Sequence, residues 1–90
     1  MTSQLRKIQV KDLRPGDIVA VMWEGGNKVD LEFTGATPKS REEGGVFRKV
    51  KEKDYYRPTN SILIACEEHS TETVIALAVM NSEDDVFIEV

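Results

Sequence analysis

Apolar residues in this chain come in short runs, and turn-forming residues cut each run before it reaches the length of an ordinary helix. The runs are "IVAVMW" (18–23), "VDLEFTG" (29–35), "SILIACEE" (61–68), "TVIALAVM" (73–80) and "VFIEV" (86–90). They are rich in β-branched residues, and several alternate with a period of two, as a strand with one face inward does. Many short strands separated by turns predict an all-β chain wrapped around one modest core. The nearest architecture is a small SH3-like, partly open barrel of about five to seven antiparallel strands. Ninety residues is the length of one domain, residues 1–90.

The turns carry their own chemistry. In "KDLRPGD", Pro15 presets the first central position of a tight turn and Gly16 supplies the positive φ of the second. Ile8 and Val10 of "RKIQV" share one face of a short strand. "IVAVMW" is apolar on both faces, which places it at the centre of a sheet or barrel. "EGGNK" joins it to a strand with Val29, Leu31 and Phe33 inward, so the pair reads as a β-hairpin. "GATPKSREEGG" is a long loop, a place where function is often carried. Residues 61–90 read as a three-stranded antiparallel meander, with "EEHSTE" at one end of its middle strand and "NSEDD" at the other.

"FRKVKEKDYYRP" (47–58) fits two conformations. As a strand it lines up Phe47, Lys49, Lys51, Lys53 and Tyr55 on one face. As a short helix over 46–57 it puts Phe47, Lys51 and Tyr55 in register at i, i+4 and i+8. The strand-rich neighbourhood favours the extended form. That face, with Tyr56 and Arg57 and with Lys39 and Arg41 from the loop, has the cations and stacking surfaces that single-stranded nucleic acid requires. Against this, lysines also protect exposed strand edges from aggregation, Glu52 and Asp54 dilute the positive field, and the chain is acidic overall, with a net charge of −4.

Charge is unevenly distributed. Residues 1–60 hold all twelve Lys and Arg and nine of the sixteen Asp and Glu; residues 61–90 hold the other seven acids and no Lys or Arg. Polar turns must be solvated, but solvation does not require a complete absence of cations. Acidic tips at Glu67, Glu68, Asp84 and Asp85 fit a basic protein partner, with Trp23 either an exposed anchor or a cover for one open end of the barrel. Exposed strand edges also suit a second copy of the chain.

Other chemistries find little support. One cysteine, Cys66, excludes an internal disulfide and a multi-thiolate zinc site, and fits a reducing cytoplasm. Cys66 and His69 stand as C-x-x-H near Glu67, Glu68 and Glu72, but alternation along a strand separates Cys66 from Glu67, and a cysteine ending an apolar strand is ordinarily buried. "SEDD" lacks the spacing of a calcium loop. Ser61 and Ser70 lie near His69 without a nucleophile elbow, and the paired glycines match neither a P-loop nor a dinucleotide fingerprint. No cofactor or metal is implied. The first residues lack the apolar core of a secretory signal, and no run approaches the ~20 residues of a membrane helix. The expectation is a cytoplasmic, non-enzymatic binding module that contacts a protein through its acidic last third. Single-stranded nucleic-acid binding through residues 47–57 is the alternative.

Overall fold

A computed structural model of the chain describes residues 4–26, 28–33, 35, 37–67 and 75–90. Among them the fold is all-β: β1 (Leu5–Gln9), β2 (Ile18–Val21), β3 (Trp23–Gly25), β4 (Lys28–Asp30), β5 (Val46–Tyr56), β6 (Ser61–Glu67), β7 (Ile75–Met80) and β8 (Asp85–Glu89), with three single 3-10 turns and no longer helix. The strands form one mixed sheet in the order β1-β8-β2-β5-β6-β7-β4-β3. The sheet has eight strands rather than five to seven. It is not closed among the described residues, and β4 meets β7 in parallel. The helical alternative for 46–57 is replaced by β5 and a 3-10 turn over Arg57–Thr59.

β5 organises the sheet. Its first half, residues 46–49, pairs with β2, and its second half, from Val50 onward, pairs with β6. Between the halves the register jumps from Val50↔Cys66 to Glu52↔Ala65, leaving Lys51 as an extra residue. Such a bulge bends a strand and strengthens its twist. The turn at Pro15 and Gly16 docks at this corner. Gly16 takes the expected positive φ of 98°. Its N–H donates to the Val50 carbonyl and the Val50 N–H donates to the Asp17 carbonyl, both at 2.8 Å. The Asp17 carboxylate accepts the Arg14 N–H at 2.9 Å and so fixes the turn from within.

The bend folds the sheet over its core. One half contributes Val19, Val86 and Ile88; the other contributes Val29, Ile62, Ile64, Cys66, Ala78 and Met80; Val50 sits at the bend, and Val10, Leu13 and Leu31, from outside the strands, complete the core. Only the first part of "IVAVMW" is central, as β2: the run breaks at Met22, whose N–H donates to the Asp30 carbonyl at 2.8 Å, and Trp23 opens β3 at the end of the strand order. The expected hairpin is cut down to β3–β4, and the strand expected to run on through Phe33 ends at Asp30: Val29 and Leu31 do enter the core, but Phe33 packs edge-on against Phe87 instead. The expected three-stranded meander is not formed. β6 and β7 pair, but β8 crosses to lie between β1 and β2. Two bonds from the β7–β8 turn explain the crossing: the N–H groups of Val10 and Lys11 donate to the carbonyls of Asp84 and Ser82, at 2.9 and 3.0 Å. They steer β8 to where Ile88 pairs with Val19 in the core.

Candidate protein-binding face

Residues directly opposite each other in a ladder point to the same side of a sheet. Val50, Ile62, Ile64, Cys66, Ala78 and Val29 point into the core, so their strand neighbours point out. On the outer side of β5–β6–β7–β4–β3 the register therefore assembles Glu52, Asp54 and Tyr56 from β5, Ser61, Leu63, Ala65 and Glu67 from β6, Leu77 and Val79 from β7, Lys28 and Asp30 from β4, and Trp23 from β3. Leu77 is 45 %, Trp23 61 % and Val79 66 % exposed. A hollow of about 450 Å³ runs between Lys28, Val29, Leu77 and Val79. A contiguous apolar patch rimmed by charge is the mark of an interaction surface.

Trp23 lies along its own strand. A Cβ at Gly25 would fall 2.7 Å from the far edge of the indole, so the glycine makes room for the ring to rest on the backbone. The next residue has a different role. Glu24 points inward, and its carboxylate accepts both hydrogen bonds from Arg48 Nη2, at 2.7 and 2.9 Å. The Arg48 side chain is only 12 % exposed. Its Nη1 donates to the Phe47 carbonyl at 3.2 Å, while its Nε is buried without a partner among the described residues. The cation lies close enough to Cys66 to act on its thiol. Burial dominates there, however, and pushes Cys66 up from 9.0 to about 11, against the lowering pull of Arg48. Cys66 is thus a buried neutral thiol, the ordinary fate of a cysteine in an apolar strand.

The residues singled out for nucleic acid do not share a face. Phe47 is buried beneath the 37–45 loop, with the Arg41 guanidinium 4.7 Å from its ring. Arg41 is held in turn by Glu89, Nε to Oε2 at 2.6 Å. Lys49, opposite Ile18, is exposed on the outer side of the first half-sheet. Lys51 is the bulge residue. Lys53 pairs with Ile64 on the inner side, where its ammonium donates to the carbonyls of Val10 and Lys11 at 3.3 and 3.0 Å. Tyr55 follows on the same side as Lys53, its hydroxyl bonded to Asn60 Oδ1. Tyr56 lies on the opposite side, beside Asp54, and Arg57 opens the 3-10 turn that ends at Asn60. One bulge has broken the alternation that would have aligned the lysines.

The acidic residues are also divided. Glu67 is exposed at the end of β6 and joins the outer face; Glu68 lies outside the described residues. Asp84 serves its own turn: its carboxylate accepts the Asn81 N–H at 2.9 Å. Asp85 opens onto a separate hollow of about 290 Å³, lined also by Lys7, Phe33 and Phe87. The carboxylates beside the apolar patch are instead Glu52, Asp54 and Asp30, which lie outside the acidic last third. The apolar part of the patch, Leu63, Leu77 and Val79, is unmarked in the sequence because a strand apolar on both sides reads as buried. Only the pairing partners reveal that one side is open. Among the described residues no group of three or more His, Cys, Asp or Glu is close enough to hold a metal, and no helix is long and apolar enough to cross a membrane. The chain matches no protein-family model, no curated protein and no solved structure.

Proposed function

We propose that the chain is a non-enzymatic, cytoplasmic binding module that receives a basic protein segment on the outer face of β5–β6–β7–β4–β3. The observation that carries the proposal is the register. It sets Trp23, Leu63, Leu77 and Val79 beside Asp30, Glu52, Asp54 and Glu67, with Lys28 the one cation among these described, paired positions. Apolar side chains and an indole supply desolvated contact; carboxylates at the rim speed encounter with a basic partner and reject acidic ones. The accompanying architecture is an SH3-like partly open barrel. β2 runs into β3 through Met22 and β4 meets β7, so the sheet curls back toward its own middle. Nucleic acid is the weaker reading, because Phe47 and Lys53 are engaged inside the fold and the two exposed tyrosines are split between sides, Tyr56 beside Glu52 and Asp54 and Tyr55 on the side of Lys53.

The test is affinity capture from host extract, with the captured proteins identified by mass spectrometry. The wild-type chain and an Asp85→Lys variant that unfolds at the wild-type urea midpoint should retain the same basic protein. A Leu77→Glu, Val79→Glu variant that unfolds at the wild-type urea midpoint should lose it. Capture lost with the Asp85 variant and kept by the face variant would move the site to the β7–β8 turn and refute the proposal.

A further inference from the structure

We infer that the segment seated on this face is an amphipathic α-helix with one basic flank, lying along β6 and β7; the inference rests on the binding reading above. The outer side of these two strands presents only side chains, with an apolar strip formed by Leu63 and Ala65 from β6 and Leu77 and Val79 from β7. A backbone laid on such a strip finds no ladder to join. An extended segment would leave its own N–H and C=O groups facing apolar carbon, which is costly. A helix satisfies them internally, so only its side chains need partners on the sheet.

The dimensions agree. Two strands ~4.8 Å apart, with their side chains, make a strip ~10 Å wide, close to the ~10–12 Å diameter of one helix. The strip has two rungs, Ala65↔Leu77 and Leu63↔Val79. Rungs two residues apart are separated by ~6.6 Å, and helix residues i and i+4 rise by ~6 Å. The acidic wall keeps the same step, because Glu52 pairs with Ala65 and Asp54 with Leu63. A helix with apolar residues at i and i+4 over the rungs then presents Lys or Arg, also spaced by four, to Glu52 and Asp54. The opposite wall is mixed, with Lys28 and Asp30 leading to Trp23. It accepts a flank of either sign and offers an indole for an apolar or cationic side chain. Phosphate-bearing ligands meet the carboxylates first. A second copy of the chain presents the same acidic wall, with Lys28 alone among the described positions of the face to oppose it.

The probe is a synthetic peptide of about 15 residues, ~22 Å long as a helix. It carries leucines at i, i+4 and i+7, lysines along one flank and no tryptophan. Trp23, the single tryptophan of the chain, reports binding, and circular dichroism reports the peptide's conformation. The expected result is saturable binding with a gain of peptide helicity, weakened at least tenfold by Val79→Glu and by Glu52→Lys combined with Asp54→Lys. The Val79 side is already open to solvent, so folding is checked by an unchanged urea midpoint. A peptide of the same composition with a central proline is the discriminating control. If it binds equally well, without gaining helicity, the helix is refuted and the basic-partner reading stands. If neither peptide binds, or both bind the face variants as well as wild type, both readings fall. Tight binding of an oligonucleotide, or concentration-dependent self-association, either one abolished by Val79→Glu, would also overturn the inference.

Discussion

Exchanging Glu24 for Gln should destabilise the protein more than replacing Arg48 itself by Met. Arg48 is the inner-face residue of β5 opposite Val19, and among the described residues its charged hydrogen-bond partner is Glu24 on β3. The two sides of the pair are unequally buried, 12 % exposed for Arg48 and 41 % for Glu24. Removing the carboxylate's charge strands a nearly buried cation whose Nε already lacks a partner. Breaking a fully buried pair this way costs about 3–5 kcal/mol. The solvent at Glu24 reduces that to about 1–2 kcal/mol, since water re-solvates part of the guanidinium. Arg48→Met removes the cation and its unmet Nε together and keeps the aliphatic contacts, so the net change is within about 1 kcal/mol of zero. The double variant should match Arg48→Met, because without the guanidinium there is no cation left for the neutral amide at position 24 to strand; the cycle then returns a coupling of about 1 kcal/mol or more. Urea denaturation followed by Trp23 fluorescence measures all four proteins. With a slope of about 1 kcal/mol per molar urea for so small a domain, Glu24→Gln lowers the midpoint by about 1–2 M. Additive losses, or a larger loss from Arg48→Met than from Glu24→Gln, would refute the view of Arg48 as a stranded cation.

Three further outcomes rest on the same packing. Gly45→Ala would place a Cβ 2.1 Å from the Lys39 carbonyl oxygen, a backbone atom that cannot step aside, and should cost more than about 2 kcal/mol; Gly25→Ala meets only the movable end of Trp23 and should alter the fluorescence with little change in the urea midpoint. Cys66 should resist a thiol reagent at neutral pH until the chain opens. Because burial holds its thiol at about 11 against 9.0 unfolded, the neutral form is favoured by folding: the contribution is intact below pH 9 and is lost as pH rises through 11, a fall of about 2–3 kcal/mol that Cys66→Ala should abolish. Lys53→Met should cost about 1 kcal/mol by releasing the carbonyls of Val10 and Lys11, whereas Lys49→Met, exposed at its position, should stay within about 0.5 kcal/mol; equal effects would contradict the assignment of the two lysines to different sides.

The strands are legible in the sequence because period-two patterns and turn residues are local signals. "LRPGD" folds into the turn its Pro and Gly dictate, and β6 alternates as "SILIACE" suggests, with Ile62, Ile64 and Cys66 inward. Partners are not legible, because pairing is decided by contacts distant in sequence. Asp84 and Ser82 draw β8 away from β7 through bonds to Val10 and Lys11, and no local pattern in "VFIEV" signals this. Lys51 illustrates the same limit on a smaller scale. One extra residue exchanges the faces of everything after it, and "KVKEKD" gives no sign of whether alternation continues or slips. The outer face escapes a sequence reading for the same reason. Its carboxylates come from β4, β5 and β6, and its apolar residues from strands that read as buried. Its members are neighbours only through register. Trp23 and Glu67 stand out because each is conspicuous alone, an indole beside a glycine turn and an acid ending an apolar run.

The most direct test of the binding face is an amide chemical-shift map of the isotopically labelled chain titrated with the basic amphipathic peptide. Saturable shifts are predicted along residues 52–56 of β5, throughout β6, at 77–79 of β7 and along β3 and β4, and the amides of Gly16 and Asp17 in the first turn should stay still. Shifts confined to Asp84, Asp85 and the β8 side, or no shifts on the outer face with the peptide but clear ones at Lys49, Lys51 and Arg57 with a single-stranded oligonucleotide, would contradict it.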